Sequence, residues 1–476
     1  MSSAVSDHNL SREACESIAA RVFAFARGGG ESWVQIHSWW NGELRWARNH
    51  VSLASDRRDL RIMIYRTRDL GFGWVSTNQI DDASLEAAVR AAERNCEING
   101  FTRHPLPASD RPPMPPFQRP TTAIWSDVTN TTTVDTLGAL VRQLVAPAKA
   151  KGLLSAGYIE MRAGSMMQTN SLRGGGEPAP WDVPYIAWTQ AQGSLTVRDP
   201  EGTGSGWAGL SSDDWSRLDP MALATRAIDK CVASQHPVAL EPGRYTVILE
   251  PQAVADLWEL ATKSFVRELA EAPQDPWFLA IDDALGLGRS KLGRKVVDER
   301  ITVSHDPADP ALGIVPGPWD TPVTWIDHGV LTNLYYDRDY ALKKLNTNGG
   351  VRSLAGYRMS GGQTSIESMV QSTERGLLVT RLSTVQEVDH PSLLMTGLTR
   401  DGLWLIEHGK ISKAVKNLRF TESPLFALNN IDALGEPVPV FRPVKNPYED
   451  GAPLTPAIVP AIKARDFSFT STIDAI

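Results

Sequence analysis

A carboxylate, an indole and an amine crowd one short helical repeat in this chain. The stretch is Ala255–Phe265, ADLWELATKSF, with Trp258 directly before Glu259 and Lys263 four residues after that acid. A glutamate fixed in a helix works as a general base when its surroundings raise its proton affinity. It works equally well as a solvated partner of the lysine one turn on, and with the acid first such a pair adds about 0.2–0.5 kcal/mol. Val254, Leu257, Ala261, Phe265 and Leu269 recur at helical spacing, and Trp258 widens the same apolar face. The expected element is an amphipathic helix over 252–272, with Trp258 packed inward and Glu259 paired to Lys263 at the surface.

Other residues with catalytic potential are scattered. None of the nine histidines pairs with another at ligand spacing. Asp306, Asp327 and Asp389 each adjoin a histidine (His305, His328 and His390), but neighbours on a strand point to opposite faces. A Ser/His/Asp or Cys/His set needs no adjacency in sequence, and no GxSxG elbow marks one. Gly202–Gly209 and Gly286–Lys295 are glycine-rich without Walker spacing, and read as a flexible loop and a surface turn. Cys15, Cys96 and Cys231 form no CxxC pair and no disulfide framework, which suits a reducing cytoplasm.

The elements that must position these residues are legible in outline. The 476 residues suffice for two or three domains. With 42% hydrophobic residues, no apolar run near the roughly 20 residues of a membrane span, and no signal-like start, the chain reads as soluble and globular. A net charge of −7 disfavours phosphate-backbone binding as the main task. Ser11 is a candidate cap for a first helix that Gly28–Gly30 end. Ser32–Trp40 and Glu43–Ala54 suggest a hairpin turning at Asn41–Gly42. A helix capped by Asp81 or Ser84 follows, with Leu85, Ala88, Val89, Ala92 and Cys96 on one face. A proline-dense linker covers 104–120, and further helices fall at Thr132–Gly152 and Asp219–Gln235. Beyond His236–Glu241 the texture turns β-rich. The fold expected is α+β. An N-terminal α/β domain (1–236) carries a mixed sheet and helices. A C-terminal β-rich, barrel-like or sandwich domain (237–476) contains the helix at 252–272.

The ordered segments resemble the TldD/PmbA family, also called modulators of gyrase. DLGFGWVSTNQIDDASLEAAVRAAERN, MMQTNSLRGG and PGRYTVILEPQAVADLWELA are similar to successive family blocks. GRKVVDERITVSHDPADP, TPVTWIDHGVLTNLYYDRDYALKKL and GLWLIEHGKISKAVKNLRFTES continue the series, so that the likeness spans about 15–440. The resemblance implies a zinc protease in the TldD type, whose motif helix carries histidine, glutamate, three residues and a second histidine, with a cysteine ligand near the C-terminus. Laid on this chain, the motif puts Trp258 at the first histidine, Glu259 at the glutamate and Lys263 at the second. Indole offers no lone pair to a metal, a protonated amine repels one, and no cysteine follows Cys231. A five-residue separation turns about 140° past a full helical turn, so ligands there need a bulge. Thr262 stands in a regular pattern, and an undistorted helix is expected.

The resemblance therefore implies the TldE/PmbA type: a metal-free, non-catalytic subunit with no catalytic, cofactor-binding or metal residues of its own. Zinc would sit in a TldD-like partner of a heterodimer that acts on small or unfolded peptides. A self-contained homodimeric binding or scaffold protein is the alternative. A third is an enzyme using Glu259 as base, which requires that side chain buried in a pocket.

Overall fold

The computed structural model describes residues 9–68, 71–98, 124–171, 183–271, 280–281, 289–309, 311–312, 321–347, 349–354, 356–441 and 456–473. The proline-dense stretch 104–120 lies outside them.

Six strands run antiparallel in one sheet: β1 (Glu31–Ala47), β2 (His50–Arg68), β3 (Gly71–Thr77), β4 (Leu154–Asn170), β5 (Val183–Arg198) and β6 (Ser205–Ser212), ordered β3-β2-β1-β4-β5-β6. The sheet was expected to be mixed, yet every pairing in it is antiparallel. Its connections are hairpins or leave from the same end, so no parallel crossover forms. Four helices cover one face. Arg12–Phe25 (α1) is capped by Ser11, whose hydroxyl accepts from the Ala14 amide. Asp82–Ile98 (α2) buries the five residues read from its periodicity, and Asp81 is its cap, accepting from the Ser84 amide. Val134–Ala150 (α3) and Pro220–Ala233 (α4) pack on β1, β4, β5 and β6 around Trp40, Leu144, Leu195 and Ile228. The opposite face carries His37, Asn41, Glu43, Glu160, Arg162 and Gln192.

Two glycine-rich stretches differ from expectation for one reason. Asn41–Gly42 is no turn: β1 runs straight through it, and the hairpin turns at Arg48–Asn49, both at positive φ. A Cβ on Gly42 would stand 2.5 Å from the Trp40 ring, so this glycine serves a close approach inside the strand. Likewise Gly202–Gly209 is largely strand. A Cβ on Gly206 would lie 2.1 Å from the Ala227 carbonyl oxygen, so the glycine lets α4 lie directly on β6.

The second body is built on a closed five-stranded barrel. Its strands are β7 (Gly243–Leu249), β8 (Arg375–Asp389), β9 (Leu394–Glu407), β10 (Leu418–Glu422) and β11 (Ile462–Thr472). β7 pairs parallel with β8; the ring then closes antiparallel through β9, β10 and β11 back to β7. A smaller six-stranded sheet includes Val303–His305, Val323–Asp327 and Tyr357–Met359. One apolar cluster spans barrel and small sheet, including Leu249, Val303, Trp325, Leu377, Phe420 and Phe467. This is the α+β arrangement with a barrel-like C-terminal half that the sequence suggests.

Candidate functional site

The motif helix enters directly from the barrel. β7 ends at Leu249, Glu250 occupies the cap position, and Pro251 opens α5 (Pro251–Ala261). Pro at the first helical position suits a start, since its missing N–H has no helical partner. The helix is tied down at its front. The Glu250 amide donates to the Val379 carbonyl at 3.0 Å. The Gln252 side chain bonds the backbone of Phe441 in both directions, and Asp256 accepts from the Leu382 amide at 2.9 Å. Ala253, Val254, Ala255, Leu257, Trp258 and Ala261 are buried.

The expected helix over 252–272 is interrupted. It ends at Ala261; Thr262–Ser264 form a 3₁₀ turn; Arg267–Ala270 make one short helical turn (α6). Two contacts end it. The Thr262 hydroxyl donates to the Glu259 carbonyl at 2.7 Å. The backbone then leaves to pair with another segment, with Tyr335 N–H on the Phe265 carbonyl and Arg267 N–H on the Tyr335 carbonyl, each at 2.8 Å. Tertiary pairing overrides the periodic pattern, and the regular helix expected through Thr262 is not formed.

The break separates the motif positions. Trp258 is 1% exposed, its ring centroid 5.7 Å from that of Phe265. Leu249, Val254, Leu257, Met359, Leu428 and Ile462 border a residual void of about 10 Å³ beside it. Such a space barely admits one water and holds no hydrated ion. The Trp258 Nε1–H is buried with no hydrogen-bond partner. Lys263 is exposed on the 3₁₀ turn and Glu259 is half-buried. The expected Glu259–Lys263 ion pair is not among those of the described residues, because the pair no longer shares one helix. These residues do not fit zinc: the first position is a core indole, the second a solvent-facing amine, and no cysteine exists beyond Cys231.

Polar networks that the sequence did not mark stand on either side. Beyond the break, Glu271 accepts from Arg267 Nε at 2.9 Å, from Ser290 Oγ at 3.2 Å and from the Tyr340 hydroxyl. Burial, then the hydrogen bond to Glu271, pushes the Tyr340 phenol up to about 12. His305 is buried, with Nδ1 3.1 Å from the Gly356 carbonyl and Nε2 2.5 Å from Arg352 Nη1. Asp327 and His328, expected to point apart on a strand, meet at 2.7 Å because His328 lies in a turn at φ 46°. In front of α5, the Lys230 ammonium reaches from α4 to the Glu250 carboxylate (2.5 and 2.7 Å) and the Thr380 hydroxyl (3.0 Å). Desolvation holds its pKa below the usual lysine value.

That latch belongs to the junction of sheet and barrel. Ser205 Oγ donates to Asp401 at 2.5 Å, and the Arg381 guanidinium lies 4.6 Å from the Trp207 ring centroid. A cavity of about 350 Å³ opens there, lined by Thr203, Ser234, His236, Asp401, Lys416 and Asn417 among others. Its volume suits a small ligand. Two of its residues, His236 (φ 54°) and Asp401 (φ 57°), are non-glycine residues at positive φ, a feature of the folded backbone that the sequence did not mark. No helix among the described residues is long and apolar enough to cross a membrane.

Residues 242–471 match the model of the PmbA/TldA metallopeptidase C-terminal domain. Three solved structures share the fold. A protein described as a modulator of a DNA gyrase from Thermotoga maritima aligns with a TM-score of 0.75 at 16% identity, over 96% of this chain and 100% of its own. TldE from Thermococcus kodakarensis gives 0.75 at 17%, with the same coverage. A protein described as a modulator of DNA gyrase from Bacteroides thetaiotaomicron gives 0.73 at 16%, over 96% of this chain and 99% of its own. No curated protein matches the chain in sequence.

Proposed function

The chain belongs to the TldD/PmbA family, and from that premise we propose that it is a metal-free, TldE-like subunit, working beside a zinc-bearing, TldD-like partner on small or unfolded peptides. One observation carries the reading. The residue in the first histidine position, Trp258, is part of the apolar core, so the motif helix has become a structural element. Lys263, in the second position, faces solvent on a separate turn. Glu259 alone cannot retain a zinc ion against water, since a zinc site takes three or four protein ligands. Peptide hydrolysis by zinc then requires ligands from another chain, and this subunit's part is to bind and to shape the site.

Metal analysis of the purified chain, with peptide-cleavage assays alone and with a zinc-bearing homologue from the same cell, tests this. The expected result is no stoichiometric zinc and no cleavage alone, with cleavage when the partner is added. About one zinc per chain, with chelator-sensitive cleavage by the chain alone, would overturn it. The cavity at the junction of sheet and barrel favours a second reading, a self-contained homodimeric binding or scaffold protein. Recovery of the chain from its host without any zinc-bearing homologue supports that second reading.

A further inference from the structure

We infer that the cavity between sheet and barrel is a binding site for a small carboxylate with a compact apolar body. Its walls come from both halves of the chain. Thr203 and Ser205 belong to the sheet, Ser234 ends α4, and Leu403 and Val415 stand on the barrel side. At about 350 Å³ the cavity lies at the small end of the range for ligand sites. Pro237, Leu403, Val415 and Ile473 give it apolar surface, and Lys416 and Asn417 bring polar groups to the same space. Apolar walls with a few polar groups that fix orientation are what a small-molecule site needs. The inference stands apart from the role of the motif helix and from the number of chains that associate.

Charge and hydrogen bonding select the class of ligand. Asp401 is 1% exposed and already compensated: Ser205 Oγ donates to it at 2.5 Å, with Arg381 Nε 3.6 Å and Arg400 Nε 3.9 Å away. The end of α4 offers a cation nothing either. The carbonyls of Lys230, Cys231, Val232 and Ala233 each accept a hydrogen bond, from the Ser234 amide, the Ser234 hydroxyl, the Gln235 amide and the Trp404 indole. A cationic ligand would therefore meet only acceptors that are in use. The Lys416 ammonium gives the cavity a positive charge. Asn417 Oδ1 accepts from the Thr399 hydroxyl at 3.1 Å, so towards a ligand its amide acts as a donor. A cation beside an amide donor matches a carboxylate, whose oxygens only accept. Phosphate is the poorer match, because phosphate sites gather arginine forks, nests of backbone N–H groups or a helix N-terminus. The apolar surface of Pro237, Leu403, Val415 and Ile473 then takes the hydrocarbon part.

Isothermal titration calorimetry of the full-length chain at constant ionic strength tests it. The probes are N-acetyl-leucine and hexanoate, with the matching amides as uncharged controls and inorganic phosphate as a plain anion. Titration extends to roughly 20 mM, which covers the affinity open to ligands of this size. At least one acid should bind, roughly tenfold or more tighter than its amide, since a hydrogen bond to a charged group is worth at least that factor. Lys416→Met should abolish this preference, so that acid and amide bind alike. The variant keeps the backbone N–H that donates to the Val238 carbonyl, and a thermal melt without ligand confirms its folding. Lys416→Gln serves in its place if that melt falls. Absence of binding by both acids overturns the proposal. So does an amide that binds as tightly as its acid, phosphate that binds as tightly as the better acid, or a folded Lys416 variant that keeps the wild-type preference.

Discussion

Consider the double substitution Trp258→His, Lys263→His, which writes the family's zinc motif back into α5 and the turn after it. The site occupied by Trp258 is 1% exposed, with a residual void of about 10 Å³ beside it. Truncating a buried tryptophan to alanine costs about 3–5 kcal/mol; an imidazole keeps part of the ring, so the packing loss falls near the lower end. The indole N–H already lacks a partner there, and the imidazole adds a second polar nitrogen with no partner. That adds about 1–3 kcal/mol. Lys263→His is exposed and stays within about 0.5 kcal/mol. The sum is a loss of roughly 4 kcal/mol or more, read as a lower urea midpoint by tryptophan fluorescence and circular dichroism. Zinc does not return it. The 258 side chain lies in the core, the 263 side chain lies beyond the helix end, and no cysteine completes the set. Unfolding is measured in chelator and again in excess zinc. A functional site at one hundred times its dissociation constant would add about 2.7 kcal/mol. A zinc-dependent gain of that size in the double variant refutes the claim that the fold, and not only the residue types, excludes the metal.

Four further outcomes follow from the same physics. Lys230→Met leaves the Glu250 carboxylate without its buried partner and should cost about 3–5 kcal/mol, with a double-mutant cycle against Glu250→Gln showing strong coupling. Gly206→Ala drives a methyl into the Ala227 carbonyl and should destabilise by about 1–3 kcal/mol, seen as a lower melting temperature. The Tyr340 phenol is raised from 10.0 to about 12, so the folded chain keeps a proton that the unfolded chain releases. Its contribution is fully present below pH 10 and is lost as pH rises towards 12; Tyr340→Phe should flatten that part of the stability–pH curve. Cys15 and Cys231 are buried with thiols pushed up to about 12, so alkylation at neutral pH should modify neither until the chain unfolds.

What the sequence disclosed was local. The Ser11 cap, the Asp81 cap and the buried face of α2 follow from residues within one or two turns of each other, and each stands where the pattern put it. The unsuitability of Trp258 and Lys263 as ligands was likewise legible, because donor chemistry belongs to the residue type. Long-range contacts account for what was missed. Gly42 reads as a turn until the Trp40 ring is placed across it, and Gly206 reads as a loop until α4 is laid on β6. The helix stops at Ala261 because Phe265 and Arg267 bond Tyr335, about seventy residues on, which no local pattern encodes. Glu271 meets Tyr340, and Ser205 meets Asp401, only through the fold.

The barrel places its first strand, β7, beside its last, β11. During synthesis, then, the ring stays open until residues 462–472 have left the ribosome, although every other strand has long been available. Until that moment β7 and β10 each lack a neighbour, and the core around Phe420 faces water. A chain cut short before Ile462 is therefore more than a protein with a missing tail. It is an open ring with two unpaired edges, a substrate for quality-control proteases.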